Sequence, residues 1–117
     1  MSTLMEMPSS SYPALRRWPR HKINVPIRVI VHQPAKTRII EGRGVEVSEG
    51  GMAVFAGVEL GVLDEVEVEF TEPFQGDPIR VTGVIRNRSG YTYGVEFVPD
   101  NARAEKMRRL LTMHAIS

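Results

Sequence analysis

The chain has 117 residues, of which 42% are hydrophobic and 25% charged, and a formal net charge of +1 at pH 7. This composition is ordinary for one soluble globular domain, and the length is too short for two. Because cysteine is absent, disulfides, thiol catalysis and thiolate metal sites are excluded. No apolar run approaches the roughly 18–20 residues that span a bilayer, and residues 1–11 lack a secretory-signal pattern, so we expect a cytoplasmic protein without membrane insertion.

Charge is distributed unevenly along the chain. Residues 41–77 hold ten acids and a single base, Arg43, whereas residues 14–22 hold four bases and no acid. Such a compact basic segment can attract an anion locally, although a solvated flexible arm would have the same composition. Because the whole chain is nearly neutral and its body is acidic, we do not expect it to bind a nucleic acid polymer.

The chain divides into a tail and one patterned region. Residues 1–13 contain three consecutive serines, two prolines and no periodicity, which predicts a disordered tail. From Ile23 onward apolar residues recur at every second position, which indicates strands. The six predicted strands cover about residues 25–31, 38–47, 52–56, 65–70, 79–85 and 91–97. The first begins or lies on a sheet edge at Pro26, because proline has no N–H to donate.

Two breaks and one strand carry further predictions. Gly50 and Gly51 separate the second strand from the third and permit positive φ angles. Residues 87–90, Asn-Arg-Ser-Gly, are typical of a hairpin turn. In the fourth strand Glu65, Glu67 and Glu69 alternate with apolar residues, so all three are predicted to face water.

The pattern changes to helical spacing near the C-terminus. The residues that recur at this spacing are Ala104, Met107, Leu110 or Leu111, and His114, with Arg103, Arg108 and Arg109 on the other side. This predicts an amphipathic helix of about four turns over residues 100–114. This helix either covers one end of the structure that the strands form or presents its apolar face to a partner, and we favour the first alternative. Six antiparallel strands followed by one helix predict an all-β barrel, since closure removes exposed strand edges.

The sequence offers little for catalysis. Its three histidines, His21, His32 and His114, have no metal-ligand spacing, and neither a nucleophile elbow nor a phosphate-binding loop motif occurs. The hydroxyl of Ser48 has no obvious histidine partner in the sequence. We therefore expect neither a metal site nor an enzyme.

Two short segments have a composition suited to a nucleotide. The first contains Arg16, Arg17 and Arg20 just before the first strand. Guanidinium groups pair bidentately with phosphate and stack on bases. The second, residues 46–51, ends the second strand with the carboxylate of Glu46, the hydroxyl of Ser48 and two glycines. A carboxylate accepts from the N–H edge of guanine, and glycine lets a large ligand approach the main chain.

Together these segments resemble the PilZ domain, a bacterial receptor module for cyclic di-GMP. The family carries Arg-x-x-x-Arg before its first strand, matched by Arg16 and Arg20, and Asp/Asn-x-Ser-x-x-Gly after its second, matched by Ser48 and Gly51. The first position of the second motif is Glu46 here, one methylene longer than aspartate. The run Tyr-Gly-Val-Glu-Phe at 93–97 and the closing helix also fit the family.

The resemblance implies a fold, a ligand and a partner. The fold is a six-stranded antiparallel barrel of the split-barrel type with a C-terminal helix, formed by residues 14–117 with a basic arm at 14–22. The ligand is cyclic di-GMP rather than a resident cofactor, and its binding orders the arm and changes contacts with a protein effector. The expected ligand-binding residues are Arg16, Arg17, Arg20, Glu46, Ser48, Gly50 and Gly51.

A second interpretation remains open. PilZ domains with altered motifs act as protein–protein adaptors that do not bind the nucleotide, and Glu46 is such a departure. A small-barrel nucleic-acid binder is a third, disfavoured by the acidic body and by the lack of an aromatic stacking row.

Overall fold

Six strands and one helix make up the computed structural model, which describes residues 20–73, 76–98 and 101–116. The strands are β1 (His21–His32), β2 (Thr37–Val47), β3 (Gly51–Phe55), β4 (Glu65–Thr71), β5 (Pro78–Ser89) and β6 (Thr92–Phe97). The helix, α1, spans Asn101–Thr112, slightly shorter than expected. The predicted tail and residues 14–19 of the arm lie outside the described residues, and the last two arm residues, His21 and Lys22, belong to β1.

The strands close into a barrel in the order β1-β2-β3-β6-β5-β4, and every neighbouring pair is antiparallel. The predicted six-stranded antiparallel barrel with a C-terminal helix is confirmed. We call the end at which β1, β3 and β5 begin the arm end, and the opposite end the loop end. The arm end holds His21, Val47 and Gly51; the loop end holds the turn 33–36 and the loop 56–64.

The helix closes the arm end. Met107 and Leu111 are fully buried and belong to the same apolar core as the inward residues of the strands. Beyond the helix, the N–H of Ile116 donates to the carbonyl oxygen of Lys22 at 2.7 Å, and His114 Nε2 lies 3.0 Å from a carboxylate oxygen of Glu72. The sequence expectation that the helix covers the barrel agrees with this packing.

The prediction that all three β4 glutamates face water is wrong for Glu69. It lies on the outer wall, yet only 9% of its side chain is exposed, because Arg28 and Arg80 flank it on the neighbouring strands. Arg80 Nε donates to Glu69 at 2.9 Å, and this bond raises the pKa of Arg80 above its ordinary value. Alternation identified the outward face correctly, but cross-strand neighbours decide whether an outward side chain is exposed.

One turn prediction also needs correction. Asn87, Arg88 and Ser89 belong to β5, and the hairpin turns at Gly90, which has a φ of 63°. The predicted break between the second and third strands is present at residues 48–50, and neither Gly50 nor Gly51 adopts the positive φ that glycine permits. The first strand does not begin at Pro26, since β1 starts five residues earlier, at His21. On the side of β4, however, β1 pairs only through residues 28–30, so Pro26 is unpaired there, as expected of an edge position.

Gly51 is required by packing between strands. It pairs with Glu96 on β6, and a Cβ placed on it would overlap the carbonyl oxygen of Val95. Because the obstructing atom is backbone, no side-chain rotation relieves the overlap. Only glycine allows β3 to approach β6 this closely.

Tyr93 fixes the loop between β3 and β4. Its ring is buried, its hydroxyl donates to the carbonyl oxygen of Val58 at 2.7 Å, and it accepts from the N–H of Leu60 at 2.9 Å. One side chain therefore satisfies two backbone groups of the loop.

Replacing Tyr93 with Phe is expected to lower the free energy of unfolding by about 1–3 kcal/mol, because both loop groups lose their partner. Urea denaturation measures this. The matched control is Tyr91→Phe, whose side chain is about half exposed and whose effect should stay within about 0.5 kcal/mol. Equal effects of the two substitutions would contradict the assigned role of Tyr93.

Gly51→Ala is expected to destabilise the barrel by about 1–3 kcal/mol or more, because the added methyl group forces β3 away from β6. The control is Gly90→Ala, at a positive φ where an added Cβ meets no atom within 4 Å, so only backbone strain is tested. Thermal denaturation compares the two, and the prediction fails if Gly51→Ala melts at or above the temperature of the control.

Candidate functional site

The two sequence motifs meet at the arm end of the β1–β2 hairpin. His21 pairs with Val47 and Lys22 with Glu46, so the residue before β1, Arg20, lies at the corner where β2 ends. Because β1 and β2 are joined by a tight turn at the loop end, the start of one must meet the end of the other. The hairpin therefore brings the basic arm to the second motif.

Arg20 and Glu46 form the direct contact between the motifs. Arg20 Nη2 donates to Glu46 Oε1 at 2.8 Å, with 47% and 28% of the two side chains exposed. Both groups are thus within reach of a ligand. Exposed ion pairs contribute roughly 0.2–1 kcal/mol, so a ligand phosphate can compete with the carboxylate for this guanidinium.

A β-bulge places Glu46 on the outer wall. Gly42 and Gly44 face inward, where an added Cβ would contact core side chains such as Ile27 and Ile23. Strict alternation from them would turn Glu46 inward. The register shifts by one residue between Gly44 and Glu46, so Val47 enters the core instead and Glu46 points outward.

Ser48 and the glycines shape the corner itself. The N–H of Ser48 donates to the carbonyl oxygen of Gly51 at 2.9 Å, and its hydroxyl donates to the same oxygen at 3.5 Å. Ser48 is only 7% exposed. The carbonyl oxygen of Gly50 accepts from the N–H of Phe97 at 2.9 Å. In this conformation Ser48, Gly50 and Gly51 stabilise the corner through the main chain.

Not every predicted site residue can be located. Arg16 and Arg17 lie outside the described residues. Lys22, which was counted with the basic arm but not with the site, lies exposed opposite Glu46. Its position follows from the β1–β2 register, which the sequence does not supply.

One other candidate for a site is a cavity that none of the motif residues lines. It has a volume of about 420 Å³ and lies at the loop end, on the opposite side of the barrel from Ser48. Its lining residues are Val31, His32, Gln33, Pro34, Asp64, Glu65, Val66, Glu67 and Thr82. Within the described ranges no group of three or more metal-binding side chains comes together, and no helix there is long and apolar enough to cross a membrane.

Solved structures share this fold at low sequence identity. The PilZ domain of CeSA from a cellulose-synthesizing bacterium is 19% identical, has a TM-score of 0.61, and the alignment covers 80% of this chain and 94% of that one. The PilZ domain of Escherichia coli YcgR with c-di-GMP is 15% identical and has a TM-score of 0.61, and the alignment covers 84% of this chain and 88% of that one.

A third structure, the Bacillus subtilis inhibitor of motility MotI/DgrA, is 18% identical with a TM-score of 0.58, and the alignment covers 84% of this chain and 48% of that one. No curated protein matches the sequence significantly. The sequence pattern of the PilZ domain family matches residues 14–113 of this chain, a range that includes both motifs, all six strands and α1. On this match, the protein belongs to the PilZ domain family.

Proposed function

We propose that this protein is a cytoplasmic receptor for cyclic di-GMP that signals through altered contacts with a protein effector. Ligand binding orders the arginine arm over the corner at Ser48 and creates a new surface for the effector. The proposed ligand-binding residues are Arg16, Arg17, Arg20, Glu46, Ser48, Gly50 and Gly51. No catalytic step is proposed.

The observation that carries this proposal is the position of Arg20. Its guanidinium lies at the corner formed by the second motif, 2.8 Å from Glu46 and about half exposed. Arg16 precedes it by four residues, so a short segment of chain suffices to bring a second guanidinium to the same corner. Two such groups suit a doubly phosphorylated ligand, because guanidinium–phosphate pairs are bidentate and charge-assisted.

One observation favours the alternative, a protein adaptor that does not bind the nucleotide. Glu46 occupies the guanidinium of Arg20 and thereby gives it a partner within the chain. Because the pair is exposed, its contribution is at most about 1 kcal/mol. A ligand that contacts Arg16 as well as Arg20 gains more than this, since hydrogen bonds to charged groups contribute roughly 1.5–3 kcal/mol each. The receptor proposal therefore expects Glu46 to weaken ligand binding without abolishing it.

Calorimetric titration with cyclic di-GMP tests the proposal. The protein is expected to bind with a dissociation constant of about 1 μM or below. Arg16→Ala and Arg20→Ala should each weaken binding by about ten- to hundredfold, since each removes charge-assisted contacts to the ligand. Arg38→Ala is the control, because Arg38 lies at the loop end of β2 and its loss changes the net charge equally.

The receptor proposal is overturned if folded protein releases no heat with cyclic di-GMP and shows no shift in its melting temperature. That outcome supports the adaptor. Steep salt-dependent affinity for generic single-stranded DNA would instead support the nucleic-acid binder. Equal loss of binding in Arg38→Ala would show that overall charge, rather than the arm, holds the ligand.

Substitutions of Glu46 separate its two possible roles. Glu46→Asp keeps the acceptor for guanine but shortens its reach toward Arg20, so we expect up to about fivefold tighter binding. Glu46→Gln keeps the length and removes the charge, so binding should tighten only if competition for Arg20 dominates. Glu49→Gln, which removes an exposed charge three residues away, is the control. Weaker binding in Glu46→Asp would show that the site is built around the longer side chain.

A further inference from the structure

Four residues on four adjacent strands form a row across the outer wall, beginning at the candidate site. Glu46 on β2 pairs with Ala53 on β3. Gly94 on β6 pairs with Ala53 on one side and with Asn87 of β5 on the other. We call these four residues the outer row. Directly opposite residues of antiparallel strands point to the same face of a sheet, so the whole row faces outward, as Glu46 does.

Two β-bulges give the outer row its polar ends. The register shift on β2 turns Glu46 outward, and a second shift lies between Ile85 and Asn87 on β5. Ile85 is fully buried, so strict alternation would point Asn87 into the core, yet Asn87 is exposed. Each bulge therefore turns one polar side chain onto the same row. Bulges of this kind commonly re-aim side chains next to functional sites.

The middle of the outer row is low, because alanine has only a methyl group there and glycine has no side chain. A Cβ added to Gly94 would lie 2.6 Å from Oδ1 and 2.8 Å from Nδ2 of Asn87. The Asn87 amide thus lies across the Gly94 backbone and does not extend straight into solvent. Within the part of the chain that the structure describes, this amide has no hydrogen-bond partner. Its donor and acceptor groups are available to a ligand.

The surroundings direct a ligand held at Glu46 onto this low ground. On the β1 side of Glu46 the exposed Lys22 lies directly opposite, so the low ground extends toward β3 and β6. Along the strands it is bordered by Phe55 toward the loop end and by Glu96, paired with Arg86, toward the arm end. A phosphate that binds Arg20 is therefore flanked by a shallow groove over Ala53 and Gly94.

The length of the groove suits one purine base. Neighbouring strands lie about 4.8 Å apart, so the Asn87 amide, above β6, is about 10 Å across the wall from the backbone of Glu46. A guanine lying flat presents its Watson–Crick N–H groups at one edge and the acceptor N7 at the other, with O6 between them. If the N–H edge donates to the Glu46 carboxylate, N7 and O6 can accept from the amide N–H groups of Asn87.

From this arrangement we propose that the outer row holds one guanine base of the cyclic dinucleotide, and that Asn87 is a ligand-binding residue outside both sequence motifs. This inference rests on the proposed function and deepens it, because it names the group that contacts the base on the side away from Glu46. Adenine in the same orientation turns the acceptor N1 toward the Glu46 carboxylate, so the row favours guanine.

Asn87→Asp tests the contact with little change in side-chain shape. The new carboxylate only accepts hydrogen bonds and would face N7 and O6, which also only accept. Calorimetric titration should show at least tenfold weaker binding of cyclic di-GMP. Ser89→Asp is the matched control, because Ser89 is exposed two residues further along β5 and receives the same charge outside the outer row. Its effect should stay below about twofold.

Gly94→Ala tests the same contact from the floor of the groove. The atoms that its Cβ would meet belong to the end of the flexible Asn87 side chain, so the barrel is retained while the amide is displaced. Binding should again weaken by about tenfold, with a melting temperature within a few degrees of the unsubstituted protein. Unchanged binding in Gly94→Ala would contradict the proposal.

NMR observes the amide directly. In ¹⁵N-labelled protein the side-chain NH₂ signals of Asn87, identified by their absence from the spectrum of Asn87→Asp, should shift on addition of cyclic di-GMP. They should not move with cyclic di-AMP at the same concentration, because the Glu46 end of the row disfavours adenine.

The outcomes separate this inference from the receptor proposal. If Arg20→Ala weakens binding but Asn87→Asp does not, the inference is overturned and the receptor proposal stands. Equal losses in Asn87→Asp and Ser89→Asp would also overturn it, since charge on β5 rather than the amide would then matter. Folded protein that binds no cyclic di-GMP would overturn both.

Discussion

Pairing between β1 and β2 is the interaction on which the candidate site depends. The two strands pair along nearly their whole lengths and are joined by a turn of four residues. Antiparallel pairing forces the segment that enters β1 to meet the segment that leaves β2. The arm that carries Arg20 and the corner at Ser48, 28 residues apart in sequence, are thereby brought together before any ligand is involved. The other strands support this hairpin and supply the core beneath it.

The same corner combines rigidity with a replaceable contact. Gly51 must be glycine because the β6 backbone leaves no room for a side chain, and Ser48 is tied to it through the main chain. By contrast, the Arg20–Glu46 pair is exposed and therefore weak. A tightly packed corner beside a weakly held guanidinium suits a site in which Arg20 can exchange the carboxylate of Glu46 for the phosphate of a ligand. Replacing Gly51 therefore changes the packing of the corner, whereas replacing Arg20 changes only a weakly held charged group.

The acidic character of the barrel is largely balanced within its wall. Glu41, Arg28, Glu69 and Arg80 occupy directly opposite positions on four adjacent strands, β2, β1, β4 and β5, so carboxylates and guanidinium groups alternate across the outer surface. Ion pairs join these neighbours. Outside this wall the sequence remains uneven in charge: residues 14–22 and α1 hold more bases than acids, and the loop before β4 holds acids and no base.

The sequence alone determined the fold class and the chemistry of the motifs. Alternating apolar residues predict strands whatever their partners, because the side-chain period of a strand is a local property of the backbone. The residue types of the arm and of 46–51 likewise define what they can bind. Pairing registers are not local, and only the tertiary structure decided them. The bulge before Glu46 reverses which side of β2 faces the core, and the cross-strand arginines bury Glu69 on a wall that alternation assigned to water. Both outcomes depend on residues distant in sequence, since a one-residue shift in register turns every following side chain to the opposite face.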